Sequence, residues 1–510
     1  MKLFLGIELG STRIKSVITD EKFRVCATGA YEWENRLEDG LWTYSLEDVW
    51  TGVKASASEC MAAAAGTFAK GGRLCGIGVS AMMHGYLAFD SVGRLLVPFR
   101  TWRNTTTEQA AVALTELFNF NIPQRWSVAH WYQAILNGEA HCGEISFMTT
   151  LAGYVHWKLS GKKVLGVGDA SGMFPVEDGE YNPHFCALFE ETAGENIIEK
   201  FPKILNAGDD AGTLTAEGAG LLGIGPLYIG VPLCPPEGDA GTGMVATNAV
   251  REKTGNVSAG TSIFAMIVLE KGLRNLHTEI DMVVTPAGKP VAMVHCNNCT
   301  SDIDAWVRLF AEGMARFGVM PDKADLYEKM YAAALEGDAD CGGLLSYNYV
   351  SGEPVVGLHE GRPMFLRMAG ANFSFANFMR AHLFSCMATL RIGMDILYGE
   401  GVALEKLQGH GGLFKTPVVA QSLMAAALNT PVAVSQTAGE GGAWGMAILA
   451  AYADYVGSNT GRENLEDFLE KFVYVNDETT VAEPKSEDVA GFDAFLRRYK
   501  NGLALQEVKI

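Results

Sequence analysis

The sequence predicts a duplicated α/β fold of two domains, on three observations. First, 510 residues and 54.9 kDa exceed what one ordinary core holds, so two domains of about 250 residues are the natural division. Second, a strand, a Gly/Ser/Thr turn and another strand occur over Gly6 to Ile18 and recur over Asn256 to Leu269. Third, the stretch Pro232 to Ser262 has nearly equal lengths of chain on either side and places one acid, Asp239, among the small residues Gly238, Ala240, Gly241 and Gly243. Two like hairpins about 250 residues apart imply a repeated unit whose halves clasp one phosphate chain in a cleft between them. The predicted boundary puts residues 1–250 in the first domain and 251–510 in the second.

Composition sets limits. Hydrophobic residues make up 48%, charged residues 19%, and there are 58 glycines, which supplies a core and many turns and argues against disorder. The formal charge of −19 excludes a nucleic-acid or anionic-membrane surface, since both need clustered Lys and Arg. A nucleotide would then be held locally, by backbone and metal. Ten cysteines lie scattered without a regular framework, which predicts reduced thiols. Cys296 and Cys299 form a C-N-N-C pair, but no second CxxC completes a zinc site, and both are read as structural. No apolar run is long enough to span a bilayer, and no charged leader precedes the first strand, so the expected location is the cytoplasm.

Taken in order, Lys2 to Ile7 is an apolar strand, Gly10-Ser11-Thr12 a hydroxyl-bearing turn, and Ile14 to Ile18 the return strand. Ser45-Leu46-Glu47-Asp48 has the form of a capping box opening a helix with Val49, Val53 and Ala57 on one face. Leu74 to Ser80 reads as a buried strand running into Met83-His84-Gly85, followed by a strand from Tyr86 to Phe89. A lone histidine is commonly a satisfied core residue, yet a His beside Gly at a strand end lies where open α/β sheets bind ligands. Trp102, Arg103 and Asn104 offer an aromatic plane, a guanidinium and an amide, which suits stacking on a sugar and bonding its hydroxyls, or a polar loop with one anchored ring. Gly168 to Gly172 and Gly212 to Glu217 are read as architecture, with Asp169 forming a turn.

Asp239 opens an Ala/Gly-rich helical run, where the macrodipole favours a carboxylate and small neighbours leave room for a ligand; that suits a catalytic base. The turn at Gly260-Thr261-Ser262 exposes N–H groups and hydroxyls suited to phosphate oxygens, or is an ordinary hairpin. Ile303 to Phe317 and Phe378 to Leu397 have helical spacing. Gly409-His410-Gly411-Gly412 lets a backbone approach a flat ring closely, as an adenine requires, or is a plain turn, and Val418 to Leu428 follows as a helix. Glu440 to Gly445 opens an Ala-rich helix to Tyr452, and the more charged remainder carries the peripheral helices Asn464 to Phe472 and Phe492 to Tyr499.

Together GIELGSTRIKSVI from residue 6, GDAGTGM from 238, AGTS from 259, GHGGLFKTP from 409 and AGEGGAWGMAILAAY from 438 resemble the FGGY carbohydrate kinases, over residues 3 to about 452. The resemblance implies an actin-like, ribonuclease-H-like fold, duplicated, with ATP and Mg²⁺ as cofactors. It assigns Asp239 as general base, Glu8 as the metal-side acid where the family usually has Asp, and Gly10, Ser11, Thr12, Gly260 and Thr261 as phosphate-binding. Gly411 and Gly412 would meet the adenine, and the helix after Glu440 would pack under the nucleotide. The Met83-His84-Gly85 triplet is similar to the xylulokinase branch, so Met83, His84, Trp102, Arg103, Asn104 and Asp239 would bind the sugar. Arg103-Asn104 stands where that branch tends to have Asn-Asp. D-Xylulose is the first expected substrate, with L-ribulose, another ketose or a polyol as alternatives. A non-catalytic nucleotide sensor or scaffold is the alternative from another class. The expected partner is a small-molecule sugar, with no nucleic acid and no membrane, and a homodimer is one assembly the resemblance allows.

Overall fold

The computed structural model describes residues 1–416, 418–435, 441–458, 462–475 and 478–508. The chain gathers into two compact units. One comprises Met1–Val250, Asp281–Val291 and Glu440–Asn476; the other comprises Arg251–Ile280, Ala292–Gly439 and Asp477–Ile510. Two stretches from the second half of the sequence thus cluster with the first unit, because packing and not chain position decides which core a segment joins.

The first unit is built on strands β1 (Lys2–Leu9), β2 (Arg13–Asp20), β3 (Val25–Glu32), β4 (Arg73–Ala81) and β5 (Glu237–Gly238), in the order β5-β4-β1-β2-β3. The first three form an antiparallel meander, while β4 runs parallel to β1 and β5 parallel to β4. Strand β1 is buried from Leu3 through Ile7, so both faces of the sheet must be covered. Helix α1 (Leu46–Ala63) covers one face. It is capped by Ser45, whose hydroxyl accepts the Asp48 N–H at 3.0 Å, as the capping-box pattern predicts. Gly29 and Ser16 lie on that face, where the Ser16 and Ser56 hydroxyls meet at 2.9 Å. The other face carries the helix Gly441–Gly457, whose backbone passes so close to Gly6 that a Cβ there would lie 1.9 Å from the Ala443 carbonyl oxygen.

The second unit repeats this scheme. Its strands β6 (Thr254–Ala259), β7 (Ile263–Val268), β8 (Pro290–Cys296), β9 (Lys406–His410), β10 (Val432–Ser435) and β11 (Thr479–Ala482) run in the order β8-β7-β6-β9-β10-β11. An antiparallel hairpin, β6–β7, again has parallel strands on the side of its first member, first β9 and then β10. The order β10-β9-β6-β7-β8 therefore matches β5-β4-β1-β2-β3, and the duplication read from the two hairpins is present in the topology. The long helix Phe375–Gly399 and the helix Val419–Leu428 supply most of the buried apolar side chains of this unit's helices. Among the described residues no helix is long and apolar enough to cross a membrane.

The glycine contacts make a direct prediction. Gly6→Ala places a methyl group against the Ala443 carbonyl and within 2.5 Å of the Ala447 nitrogen, both backbone atoms that cannot turn aside. It should destabilise the protein by about 1–3 kcal/mol or more. Gly66→Ala, where nothing lies within 4 Å, should be neutral or slightly stabilising. Thermal unfolding of the two variants checks this, and equal melting points would refute the close packing.

Candidate active site

Two carboxylates are presented by two helix starts of the first unit. Glu8, near the end of β1, pairs in register with Ser80 on β4, and its Oε2 accepts the Ala443 N–H at 3.2 Å. A Cβ on Gly442 would lie 2.4 Å from Glu8 Oε1, so the helix Gly441–Gly457 can begin there only because that residue has no side chain. Asp239 opens α2 (Asp239–Ala246), as the sequence pattern predicts, and its Oδ1 accepts the Met83 N–H at 3.0 Å. Unsatisfied N–H groups of a first helical turn favour an acid at such positions. Burial, and then the Asp239 charge, hold the Glu8 carboxyl above its ordinary range against the Ala443 hydrogen bond. Burial likewise raises Asp239, opposed by the N–H groups of Met83 and Ala240. Two acids raised in this way form a place that a cation relieves. Among the described residues no three Asp, Glu, His or Cys side chains are grouped to hold a metal ion.

Behind Asp239 lie two more acids. Glu237 on β5 accepts the Gly168 and Asp169 N–H groups at 3.2 and 3.0 Å. Asp169, 1% exposed, takes the Thr150 hydroxyl on Oδ2 at 2.6 Å, while its Oδ1 has no partner and would lie 3.2 Å from a Cβ on Gly238. Burial lifts the Asp169 carboxyl to about 7, with Asp239 adding to the rise, and lifts Glu237 to about 8, with Asp169 adding. Asp169, expected from sequence to form a turn, sits buried in the short helix Val167–Ala170.

Met83 and His84 are brought to the same place. The Met83 side chain fills the space over Gly238, where a Cβ would meet its Cγ at 2.1 Å. His84 is 7% exposed, has φ +69°, and its Nδ1 pairs with the Gly172 carbonyl at 3.1 Å. Its ring stacks on Trp126 at 6.3 Å, and burial, aided by the Arg125 charge, lowers its pKa to about 3, so it is a neutral hydrogen-bonding ring. The other sugar candidates are disposed differently. Asn104 is buried, its Oδ1 accepting the Trp42 N–H at 2.8 Å and its Nδ2 donating to the Trp42 and Thr101 carbonyls at 2.8 and 3.0 Å, so both amide donors are committed to backbone. Arg103 lies over the Trp42 ring at 4.1 Å, and Trp102 is 39% exposed.

The turn Gly10–Thr12 is anchored from behind. Trp33 Nε1 donates to the Gly10 carbonyl at 2.7 Å and the Tyr44 hydroxyl to the Ser11 carbonyl at 2.6 Å, while the two rings stack at 4.2 Å. An open cleft of about 780 Å³ is lined by Glu8, Gly10, Thr12 and Lys15, among others. In the second unit, the Gly260 carbonyl accepts the Thr300 N–H and hydroxyl at 3.1 and 2.9 Å, and the Thr261 carbonyl accepts the Cys299 N–H at 2.9 Å. With its carbonyls tied back, the turn leaves the Thr261 side chain exposed. Gly411 follows β9 next to β6; its φ of +97° and the 2.5 Å that a Cβ would leave to the Ala259 carbonyl both require glycine. Gly260, Thr261, Gly411 and Gly412 are thus gathered at the ends of two adjacent parallel strands. Pro417 and Ala438 to Glu440, part of the motifs named above, lie outside the described residues.

Residues 3–245 match the N-terminal domain of the FGGY family of carbohydrate kinases, and residues 255–453 match its C-terminal domain. The chain belongs to the FGGY family of carbohydrate kinases. It is 26% identical over 444 residues to a xylulose kinase of Haemophilus influenzae, covering 84% of each chain. It shares its fold with the xylulose kinase from Rhodospirillum rubrum, at a TM-score of 0.80 and 17% identity, covering 99% of this chain and 98% of that one. It shares the fold equally with a gluconate kinase from Lactobacillus acidophilus, at a TM-score of 0.80 and 16% identity, covering 99% and 98%. Since proteins named for different substrates have this one fold, selectivity must rest on individual side chains.

Several contributors to this FGGY kinase's site are missed by reading its sequence. Trp42 holds both Arg103 and Asn104; Trp126 stacks on His84; Ala443 caps Glu8 from 435 residues away in sequence. Only Glu237 carries a sequence signal, an acid next to Gly238 at the end of the run from Leu233.

The acid pair behind Asp239 predicts a pH dependence. With folded pKa values of about 7 for Asp169 and about 8 for Glu237, the folded chain holds more protons than the unfolded chain, whose carboxyls titrate near about 4. The stability these groups contribute is full below about pH 4 and is lost as pH rises through about 8. Asp169→Asn and Glu237→Gln should each flatten the decline of melting temperature between about pH 5 and about pH 8. A slope unchanged in both variants would mean that neither carboxyl is protonated in the folded protein.

Proposed function

We propose that this chain is an ATP-dependent sugar kinase that phosphorylates a ketopentose, D-xylulose first, with Asp239 as the general base. The observation that carries the reading is the geometry of Asp239: a carboxylate at a helix start, fixed through Oδ1 by the N–H of Met83, the residue that precedes His84. The carboxylate would take the proton of a sugar hydroxyl as that oxygen attacks the γ-phosphorus and ADP leaves. Burial favours this role by raising the carboxyl's proton affinity. Neutral His84, its Nδ1 on the Gly172 carbonyl, presents its Nε2 as a hydrogen-bond partner for a sugar oxygen.

The turn at Gly10, Ser11 and Thr12 and the turn at Gly260 and Thr261 would each take phosphate oxygens, and the flat backbone at Gly411 and Gly412 would meet the adenine ring. Phosphoryl transfer needs positioning and charge neutralisation more than covalent help from the protein. Bound Mg²⁺ would supply that neutralisation. Glu8 would hold it through water, with one carboxylate oxygen kept in place by Ala443. The 26% identity to a xylulose kinase and the Met83-His84-Gly85 triplet favour the ketopentose over other sugars. The location consistent with this reading is the cytoplasm.

ATP turnover against a panel of D-xylulose, L-ribulose, glycerol, a hexose and a sugar acid tests the assignment. D-Xylulose should give the highest kcat/KM; another winner would remove the pentulose and leave the kinase. Asp239→Asn should bind ATP and sugar nearly normally but turn over at least about a hundredfold more slowly. Calorimetry with steady-state kinetics checks this, and near-native turnover would remove Asp239 from the mechanism. Glu8→Gln should raise the Mg²⁺ concentration for half-maximal activity, because it removes a charge that favours the cation. A titration at saturating ATP that shows no shift would make Glu8 structural.

A further inference from the structure

The ion pair between Arg125 and Asp281 has no part in the reaction scheme above, yet it lies against the histidine assigned to the sugar. Arg125 belongs to a segment wrapped around the His84 loop. Its carbonyl accepts the Gly85 N–H at 3.2 Å, the Ser127 hydroxyl donates to the Gly85 carbonyl at 2.6 Å, and Trp126 stacks on His84. The Arg125 charge is near enough to disfavour protonation of His84. Asp281 reaches this place from the segment Asp281–Val291, which clusters with the first unit.

Both oxygens of the Asp281 carboxylate are committed. Oδ2 takes the Arg125 guanidinium, and Oδ1 takes Asn121 Nδ2 at 3.0 Å. The segment is fastened further along by the Val284 N–H to the Ser171 hydroxyl at 3.1 Å, and by the Pro286 carbonyl, which accepts the Ala207 N–H at 2.9 Å. Asp281 is therefore held beside Arg125 by its backbone. Two other arginines of this region are engaged elsewhere, Arg100 with Glu139 and Arg103 over Trp42.

We propose that Asp281 determines the charge of the accepted substrate: by occupying Arg125 it makes the pocket beside His84 take an uncharged sugar and refuse a sugar acid. A free guanidinium presents a planar fork that matches a carboxylate. When that fork already holds an internal carboxylate, a second one meets no net positive charge and is repelled by Asp281. An uncharged sugar loses nothing by this arrangement, since its hydroxyls can still bond to polar groups nearby. The inference rests on the kinase reading above and extends it to substrate class.

The test compares D-xylulose with the five-carbon acid D-xylonate, by calorimetric affinity and by ATP turnover, in the native protein and in Asp281→Asn. The variant should bind D-xylonate at least about tenfold better relative to D-xylulose, the size expected of one charge-assisted hydrogen bond. The gain should shrink as salt is raised and vanish in the double variant Asp281→Asn with Arg125→Gln. A ratio of the two affinities that does not move, or a gain that survives loss of Arg125, overturns the inference. If Asp281→Asn does not fold, Asp281→Ser, which likewise takes the carboxylate off Arg125, must move the ratio in the same direction, and no movement overturns the inference. Calorimetry needs no turnover, so the two readings fail separately. A native protein whose ATP turnover no sugar stimulates counts against the kinase assignment, whereas an unmoved affinity ratio counts against Asp281.

Discussion

The first unit depends on holding carboxyl groups in its interior by backbone N–H donors. Glu8 is met by the start of the helix Gly441–Gly457, Asp239 begins its own helix and is met by Met83, and Glu237 is met by Gly168 and Asp169. A buried carboxylate without donors would be prohibitively costly, and a helix start provides donors that are otherwise unsatisfied. Each arrangement offsets the other's cost. Burial raises the proton affinity of all four acids, and the charge of a neighbouring acid adds to the rise at Glu8, Asp169 and Glu237.

That concentration of acids is possible only because the backbones approach unusually closely. Gly6 admits the helix that caps Glu8, Gly442 leaves room for the Glu8 carboxyl, and Gly445 lets the same helix touch the Thr242 carbonyl of α2. Gly172 and Gly238 do the same for His84 and Met83. Side chains at these positions would spread the elements apart and unpair the acids, so stability and site geometry share one set of contacts. Catalytic geometry is in this sense a by-product of how tightly helix meets sheet.

The side chains proposed to select the sugar form a looser layer. Asn104 serves the Trp42 backbone and braces its loop, while Arg103 lies over the Trp42 ring and Trp102 is exposed. The Arg125–Asp281 pair belongs to the same layer, since it joins the His84 loop to a segment from a distant part of the chain. Such contacts can change without disturbing the acids beneath, which gives one fold a way to serve different sugars.

Much was legible in the sequence, for reasons local to the chain. The two hairpins follow from apolar runs broken by Gly/Ser/Thr turns, the cap at Ser45 from its spacing to Asp48, and the place of Asp239 at a helix start from the glycines around it. The doubled topology follows from the recurrence of one hairpin, because each needs parallel strands beside its buried first strand. What only the tertiary structure decided involves partners far apart in sequence. Ala443 capping Glu8, Trp126 on His84, Trp42 holding Asn104, and Asp281 on Arg125 leave no periodic or spaced trace, because each is a single contact made when two backbones are packed together. Asp169 shows the difference most plainly. Its neighbours in sequence suggest a turn, whereas its carboxyl is raised first by burial and then by the charge of Asp239, about seventy residues away, which reaches it only through the helix start that carries it.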